Sequence, residues 1–288
     1  MHGDQTRIDL HVHSTASDGV YTPSEVVRLA TDLGLSAIAL TDHDTTAGVL
    51  EAQQAAGGSL EVVPGVEISS EGDWGDLHFL GYYLDPAHAR LHELLEAVRD
   101  ARVGRARGMV QQLGRMGMHL DWERVRALAG GESIGRPHVA RALLERGYVR
   151  TFQEAFDRFI GNDGPAYVPR LKLSPQETIQ AILDAGGVPV IAHPGYSGPA
   201  ATAHVPEFVE YGLRGIEVFY PNHSPEDVER LQALCRQYHL IATGGTDFHG
   251  PGYDEGASLG SIPIPPTTLE QLRAAARSLA RATLPDTP

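Results

Sequence analysis

The chain has a single cysteine, no apolar run long enough to span a bilayer, and a shortage of positive charge. One thiol, Cys235, rules out an intrachain disulfide and any metal site built on several cysteines. It falls at helical spacing within Val228–Tyr238, which reads as a buried core thiol and not a nucleophile. With no stretch of about 18 consecutive apolar residues, a membrane helix has no support. No amino-terminal apolar segment of the signal-peptide kind is found either, so the expected location is the cytoplasm. Lys and Arg total 23 against 37 Asp and Glu, a formal charge of −14. That balance argues against an extended nucleic-acid surface, which needs clustered cations. It leaves room for a small anionic substrate, or one end of a nucleic-acid strand, received by metal ions and a few arginines.

What is present is an ordinary enzyme-like composition, 42% hydrophobic and 21% charged over 288 residues, enough for one large α/β barrel or two modest domains. Seven short apolar runs read as strands: Arg7–His13, Ser36–Asp44, Leu60–Ile68, one around Asp76–Leu80, Val188–His193, Gly215–Tyr220 and Leu240–His249. Helical spacing marks Pro23–Leu33, where Thr22 and Glu25 suggest a capping box, and Thr46–Ala56, closed by Gly57-Gly58. Strand–helix alternation at this pace predicts parallel strands with right-handed crossovers. From about Ala87 to Ile160 no strand is predicted. That segment reads as helices over His88–Met116, after Asp121, over Arg136–Arg146 and over Phe152–Ile160. Alternation then resumes with a helix capped by Ser174-Pro175, another over Pro225–Tyr238 and a last one over Leu269–Arg281. The expected organisation is a barrel in two parts, 1–86 and 169–288, interrupted by a helical insertion, 87–168, that caps the substrate site.

Six of the seven strands end in a histidine or carboxylate, and in barrels of this type chemistry sits at the carboxyl ends of strands. The candidate metal ligands are His11, His13, Asp18, His43, Glu67, His78, His193, Asp247 and His249. His11 and His13, two residues apart on an extended strand, share one face. Imidazole and carboxylate together suit Mn, Fe or Zn better than Ca or Mg. One ion needs three or four protein ligands, so this set predicts two or three divalent ions, a pair of them about 3.5–4 Å apart across a carboxylate such as Glu67. Asp42 and Asp44 flank His43 and are expected to orient an imidazole through hydrogen bonds.

The motifs Asp9-Leu-His-Val-His-Ser14, Leu40-Thr-Asp-His-Asp44, Pro64-Gly-Val-Glu-Ile-Ser69, Ala192-His-Pro-Gly195 and Gly244-Gly-Thr-Asp-Phe-His-Gly250 together resemble the PHP (polymerase and histidinol phosphatase) family of metal-dependent phosphoesterases. The resemblance implies an α/β fold, a distorted (β/α)7 TIM-like barrel, with a trinuclear site. It also implies a ligand assignment: His11, His13, Glu67 and Asp247 for one ion, Glu67, His78 and His193 for the second, Asp18, His43 and His249 for the third. Many members have histidine where this chain has Asp18. The expected reaction is phosphate-ester hydrolysis by a hydroxide shared between two ions, with Glu67 bridging and His43 or His249 assisting the leaving group. No Ser or Cys nucleophile is required. Amide hydrolysis is the chemical neighbour, and a non-catalytic metal- or nucleotide-binding module is the alternative of a different class.

Substrate selection points to the insertion. Arg99, Arg102, Arg105, Arg107 and Arg115 make it arginine-rich, and Arg102 and Arg105 share a helix face. Guanidinium forks bind phosphate in a bidentate manner. Gly135-Arg-Pro-His-Val-Ala-Arg141 opens a helix whose amino terminus favours an anion, with Arg136 and His138 beside it. Lys172 is a weaker candidate, and His223, following the sixth strand, is a candidate phosphate contact. Arg136–Leu143, Phe159-Ile-Gly161 and Ala166-Tyr-Val-Pro169 resemble the insertion of a PHP subgroup that contains 3′,5′-nucleotide bisphosphate phosphatases and 5′→3′ exoribonucleases. This implies a nucleotide or short RNA as the partner molecule. Histidinol phosphate is the alternative substrate, and the arginines tell against it. The glycine-rich loops after His193 and His249 read as plain connections, with a mobile lid as the alternative for either.

Overall fold

The computed structural model describes residues 7–72, 75–129, 134–169, 173–195, 199–251 and 257–282. Lys172 and most of the two glycine-rich loops, at 196–198 and 252–256, lie outside the described residues. Seven strands form one sheet in sequence order: β1 Ile8–Val12, β2 Ala37–Leu40, β3 Glu61–Gly72, β4 Gly75–Tyr82, β5 Val188–Ile191, β6 Gly215–Phe219 and β7 Ile241–Gly244. Val12 bridges Phe248, and the His13 N–H donates to the Phe248 carbonyl at 2.9 Å, so the first strand meets the segment after the last and the barrel nearly closes.

The expectation of parallel strands fails at one place. β4 runs antiparallel to both β3 and β5, while the other neighbouring pairs are parallel. Only residues 73–74 separate β3 from β4, whereas a parallel pair needs a crossover of a dozen residues or more. His78 therefore lies in the amino-terminal half of its strand, opposite Ser69. Because β4 runs the other way, that half lies at the same end of the barrel as the carboxyl ends of its neighbours.

Helices α1 Pro23–Asp32 and α2 Val49–Ala56 follow β1 and β2. The capping box forms: Thr22 accepts from the Glu25 N–H, and Glu25 accepts from the Thr22 N–H at 2.9 Å. The insertion holds α3 Ala89–Arg115, α4 Trp122–Ala129, α5 Arg136–Glu145 and α6 Phe152–Ala155, the last continuing into a π-helical turn, Phe156–Ile160, where a single α-helix was expected. Then come α7 Pro175–Asp184, two short helices absent from the sequence reading, α8 Pro199–Ala203 and α9 Val205–Tyr211, followed by α10 Pro225–Tyr238 and α11 Thr267–Ala282.

Burial divides the molecule. Leu10, Ala39, Leu80, Tyr82 and Val190 fill part of the barrel core, and Ala106, Met109, Leu113, Val139, Leu143 and Ile160 form a separate core within the insertion. α3 belongs to both. Its 27 residues span about 40 Å. Leu91, Leu95 and Val98 pack on the barrel, and Ala106 onward on the insertion. A single stiff rod thus carries arginines from one core to the other, past the end of the barrel where the candidate ligands gather.

Candidate metal centre and its pocket

Glu67 stands at the centre of the site, buried on β3. His11 Nε2 and His13 Nε2 each lie 3.2 Å from its Oε2, and His43 Nδ1 lies 3.0 Å from the same oxygen. On the other side of the carboxylate, His78 Nδ1 is 2.7 Å and His193 Nε2 is 3.0 Å from Oε1. Asp247 Oδ1 approaches His11 and His13 at 3.3 and 3.0 Å. Asp18 faces His249 Nε2 at 3.2 Å and His43 Nε2 at 3.8 Å. All nine predicted ligands converge. Three sets have ligand atoms within 4.8 Å of one another: His11, His13, Glu67 and Asp247; His43, Glu67 and His78; and His13, Asp18, His43 and His249. The first set equals the one implied by resemblance. In the second, His43 is grouped where His193 was expected, although His193 faces the same Glu67 oxygen as His78.

These groups fit divalent ions. His13 Nδ1 and Nε2, His43 Nδ1 and Asp247 Oδ1 are buried and make no hydrogen bond of good geometry despite carboxylates and imidazoles around them. Buried polar atoms left so are costly, and lone pairs converging at such distances are the arrangement a cation satisfies. Without ions, protons take that place. Burial alone would discharge His11, but Asp247, Glu217 and Glu67 outweigh it and hold its pKa well above 6.5. Burial likewise opposes charge on His13, yet Asp247 and Glu67 lift it to about 10. Burial would raise Asp18, Glu67 and Asp247; the surrounding imidazoles win and hold all three well below the usual carboxylate range. His43 goes the other way: burial dominates over Glu67 and Asp18 and keeps it neutral.

The backbone is bent to serve this cluster. Asp44, His193 and Asp247 adopt φ of 52°, 27° and 53°, left-handed values that are unfavourable for residues with a Cβ. Each is held from outside. The Asp44 N–H donates to the Glu67 carbonyl at 2.8 Å, and the His193 N–H donates to Glu217 Oε2 at 2.8 Å. Before Asp247, the Thr246 N–H and hydroxyl both donate to Asp9, at 2.9 and 2.6 Å. Gly245 is required by close approach, since a Cβ there would fall 2.3 Å from the His11 Cβ.

Asp42 and Asp44 do not orient an imidazole, contrary to expectation. Asp42 accepts from Ser14 N–H, Ser14 hydroxyl and Ser17 hydroxyl, at 2.8, 2.7 and 2.6 Å, and so shapes the turn that presents Asp18. Asp44 Oδ1 accepts from Ser69 N–H at 2.9 Å, and its Oδ2 pairs with Arg102 at 2.8 Å. Arg99 donates to the Asp44 carbonyl at 3.2 Å. Asp44 therefore ties α3 to the barrel.

A pocket of about 120 Å³ opens over the cluster, lined by Asp18, His43 and His78 from the barrel and by Arg102, Arg105, Gly135, Arg136 and Phe156 among others from the insertion. The predicted arginines reach it. Arg105 Nε donates to the Val168 carbonyl at 2.7 Å, and Arg136 to Asn162 Oδ1 at 2.9 Å, with its guanidinium 5.8 Å from the Phe156 ring centre. Arg107 and Arg115 face solvent. His138 is buried beside the pocket, where Nδ1 accepts from the Gly135 N–H at 3.0 Å. Burial pushes its pKa down to about 4, so it is neutral and carries its proton on Nε2. The amino terminus of α5 offers fewer amides to an anion than expected: the Gly135 N–H is committed to His138, and Pro137 has none. His223 differs more. Nδ1 donates to the Val218 carbonyl at 2.9 Å and Nε2 accepts from the Gly195 N–H at 3.1 Å, which occupies both nitrogens in linking the turns after β5 and β6.

Sequence reading missed two supports from the sixth strand and the residue that follows it, the strand without an assigned ligand. Glu217, fully buried, accepts from His11 Nδ1. The Tyr220 hydroxyl donates to Asp247 Oδ2 at 3.1 Å. A carboxylate between Ile216 and Val218 in an otherwise apolar strand was the available signal, because buried glutamate is rare without a partner.

The chain is similar to several known proteins. The PHP domain family matches residues 9–102. The 5′-3′ exoribonuclease Rnm of Salmonella typhimurium is 34% identical, over 84% of this chain and 85% of its own length. The 3′,5′-nucleoside bisphosphate phosphatase of Chromobacterium violaceum is 36% identical, over 85% and 88%. Among solved structures, a candidate metal-dependent phosphoesterase from Bifidobacterium adolescentis superposes with a TM-score of 0.86 at 32% identity, covering 93% of this chain and 96% of that one. Among the described residues, no helix is long and apolar enough to cross a membrane. The chain belongs to the PHP family of metal-dependent phosphoesterases.

Proposed function

We propose that the chain hydrolyses phosphate esters of nucleotides, either 3′,5′-bisphosphonucleotides or short 5′-phosphorylated RNA, with two or three Mn, Fe or Zn ions held by the nine residues of the cluster. The observation that carries this reading is the pocket, which sets Arg102, Arg105 and Arg136 over a floor of Asp18, His43 and His78. An ester with two phosphates matches that division, one phosphate on the floor and the other on the arginine wall. Bound divalent ions supply a water of lowered pKa and neutralise the phosphate oxygens.

The chain's own residues do the rest. Glu67, facing five imidazoles with its two oxygens, is the residue that would be shared between ions. His43, neutral at pH 7, and His249, whose Nδ1 is engaged with the Asp247 carbonyl at 2.8 Å, are suited to assist the departing oxygen. Arg102, steadied by Asp44, and Arg136, steadied by Asn162 and Phe156, hold the distal phosphate with little further ordering. His138 offers its Nε2–H beside them. The division 87–168 then has a purpose: the barrel performs the hydrolysis and the insertion chooses the ester. The names of the relatives, an exoribonuclease and a bisphosphate phosphatase, support this substrate class.

The test is release of phosphate from 3′-phosphoadenosine 5′-phosphate and of nucleotide from a short 5′-phosphorylated RNA. Both are run with Mn²⁺, with chelator, and with Arg136→Ala. Turnover abolished by chelator and impaired by the substitution is the expected result. Full activity after removal of all metal, or no hydrolysis of either substrate by the metal-saturated chain, would sink the proposal.

A further inference from the structure

Glu217 sits where two ion positions meet, and it touches both from behind. Its Oε1 and Oε2 lie 3.0 and 3.2 Å from His11 Nδ1. Its Oε2 also accepts from the His193 N–H at 2.8 Å, at the residue whose φ is 27°. His11 belongs to the set with His13 and Asp247, while His193 faces the Glu67 oxygen shared with His78. The two rings lie nearly parallel, 16° apart, with centroids separated by 5.7 Å. We infer that Glu217 is a positioning residue that fixes the proton of His11 on Nδ1 and the bend at His193, and so sets two ion positions through one carboxylate. This rests on the reading of the cluster as a metal centre.

The reason is acceptor chemistry. A carboxylate has only acceptors, so a hydrogen bond with His11 Nδ1 requires the proton there and leaves Nε2, 3.2 Å from Glu67, free to bind an ion. Glutamine has one oxygen and one NH2 group. Placed in either orientation, its nitrogen would stand 3.0 or 3.2 Å from His11 Nδ1. That NH2 opposes a proton on Nδ1 and can donate to a bare Nδ1, so the tautomer with the proton on Nε2, the nitrogen that must bind the ion, gains over the one the carboxylate enforces. In the second orientation the same NH2 would also oppose the His193 N–H. The shape of the side chain is unchanged; only its donor pattern differs. A comparable exchange of carboxylate for amide behind a catalytic histidine traps the wrong tautomer in serine proteases.

The experiment is equilibrium dialysis of the full chain against Mn²⁺, with bound metal counted by mass spectrometry, for wild type, Glu217→Gln and Glu217→Asp. Urea unfolding of each metal-free protein runs beside it. Glu217→Gln is expected to bind at least one ion about 10- to 100-fold more weakly while its metal-free unfolding midpoint stays near that of wild type. Glu217→Asp, still acceptor-only, is expected to recover most of that affinity. Wild-type affinity and stoichiometry in Glu217→Gln would overturn the inference, as would an equal loss in Gln and Asp, which assigns Glu217 to packing alone. Should wild type itself bind no Mn²⁺, the metal-centre reading falls and the inference with it.

Discussion

At the end of the barrel, imidazoles and carboxylates from six strands and the turns after them converge on Glu67, five of the nine buried and the rest half-buried, with His193 and Asp247 on backbone bent to left-handed values. Across the pocket, Arg102 and Arg105 come from one helix and Arg136 from the start of another, and their partners are an aspartate, a carbonyl and an asparagine amide. The first region is defined by long-range closure: His11 and Glu217 are 206 residues apart in the chain. The second is defined by local helix periodicity around a core of its own. The contrast teaches that the candidate metal centre depends on closure of the whole barrel, whereas the arginines of the insertion pack around a core of their own and meet the barrel chiefly where Asp44 holds Arg99 and Arg102.

The sharpest way to break this comparison is to remove ligands on the barrel side. Asp247→Ala or His13→Ala is expected to drop turnover to the level of chelated enzyme while the circular dichroism spectrum is retained. Appreciable Mn²⁺-dependent activity in either variant would contradict the assignment. On the insertion side, Arg136→Ala is expected to raise KM for a bisphosphorylated nucleotide about tenfold or more, with ion content unchanged. If bound metal fell as well, the two regions would not be separable.

Packing gives the next effect. Leu143 lies wholly within the insertion core, so Leu143→Ala is expected to cost about 2–5 kcal/mol in urea unfolding and to weaken substrate binding before ion binding. A smaller effect should follow pH. In the ion-free fold the His13 pKa rises from 6.5 to about 10, so the stability it contributes is complete below pH 6.5 and is lost as pH climbs through about 10. Unfolding midpoints of metal-free protein should therefore decline over that window, and Mn²⁺-loaded protein, with the proton displaced, should not decline with it. The same displacement makes ion affinity increase with pH. The least effect of all is expected from Cys235→Ala, because burial pushes this thiol up to about 12 and it faces the barrel core. Unaltered kinetics and no thiol labelling of native protein are the outcomes to look for.

Much of the candidate centre was legible in the linear chain, because most ligands lie in or just after a short apolar run and each motif spans only a few residues. His11 and His13, Asp247 and His249, and the capping box at Thr22 and Glu25 are readable for the same reason: their partners, or the periodicity that marks them, are local. The arginines of α3 were legible through helical spacing. The direction of β4 was misread because alternation was assumed to continue across a connection of two residues.

Other features needed the third dimension. That Asp42 holds a serine turn, that Asp44 grips α3, and that His223 spends both nitrogens on neighbouring turns depend on which loops come together when the barrel closes. So does the role of Glu217, an anomaly in a buried strand until His11 and His193 are brought to its two sides. Composition and local periodicity determined the residue chemistry of this protein and the elements that carry it. Which atom meets which was decided only by tertiary closure, since contacts between residues some 200 positions apart leave no periodic trace in the chain.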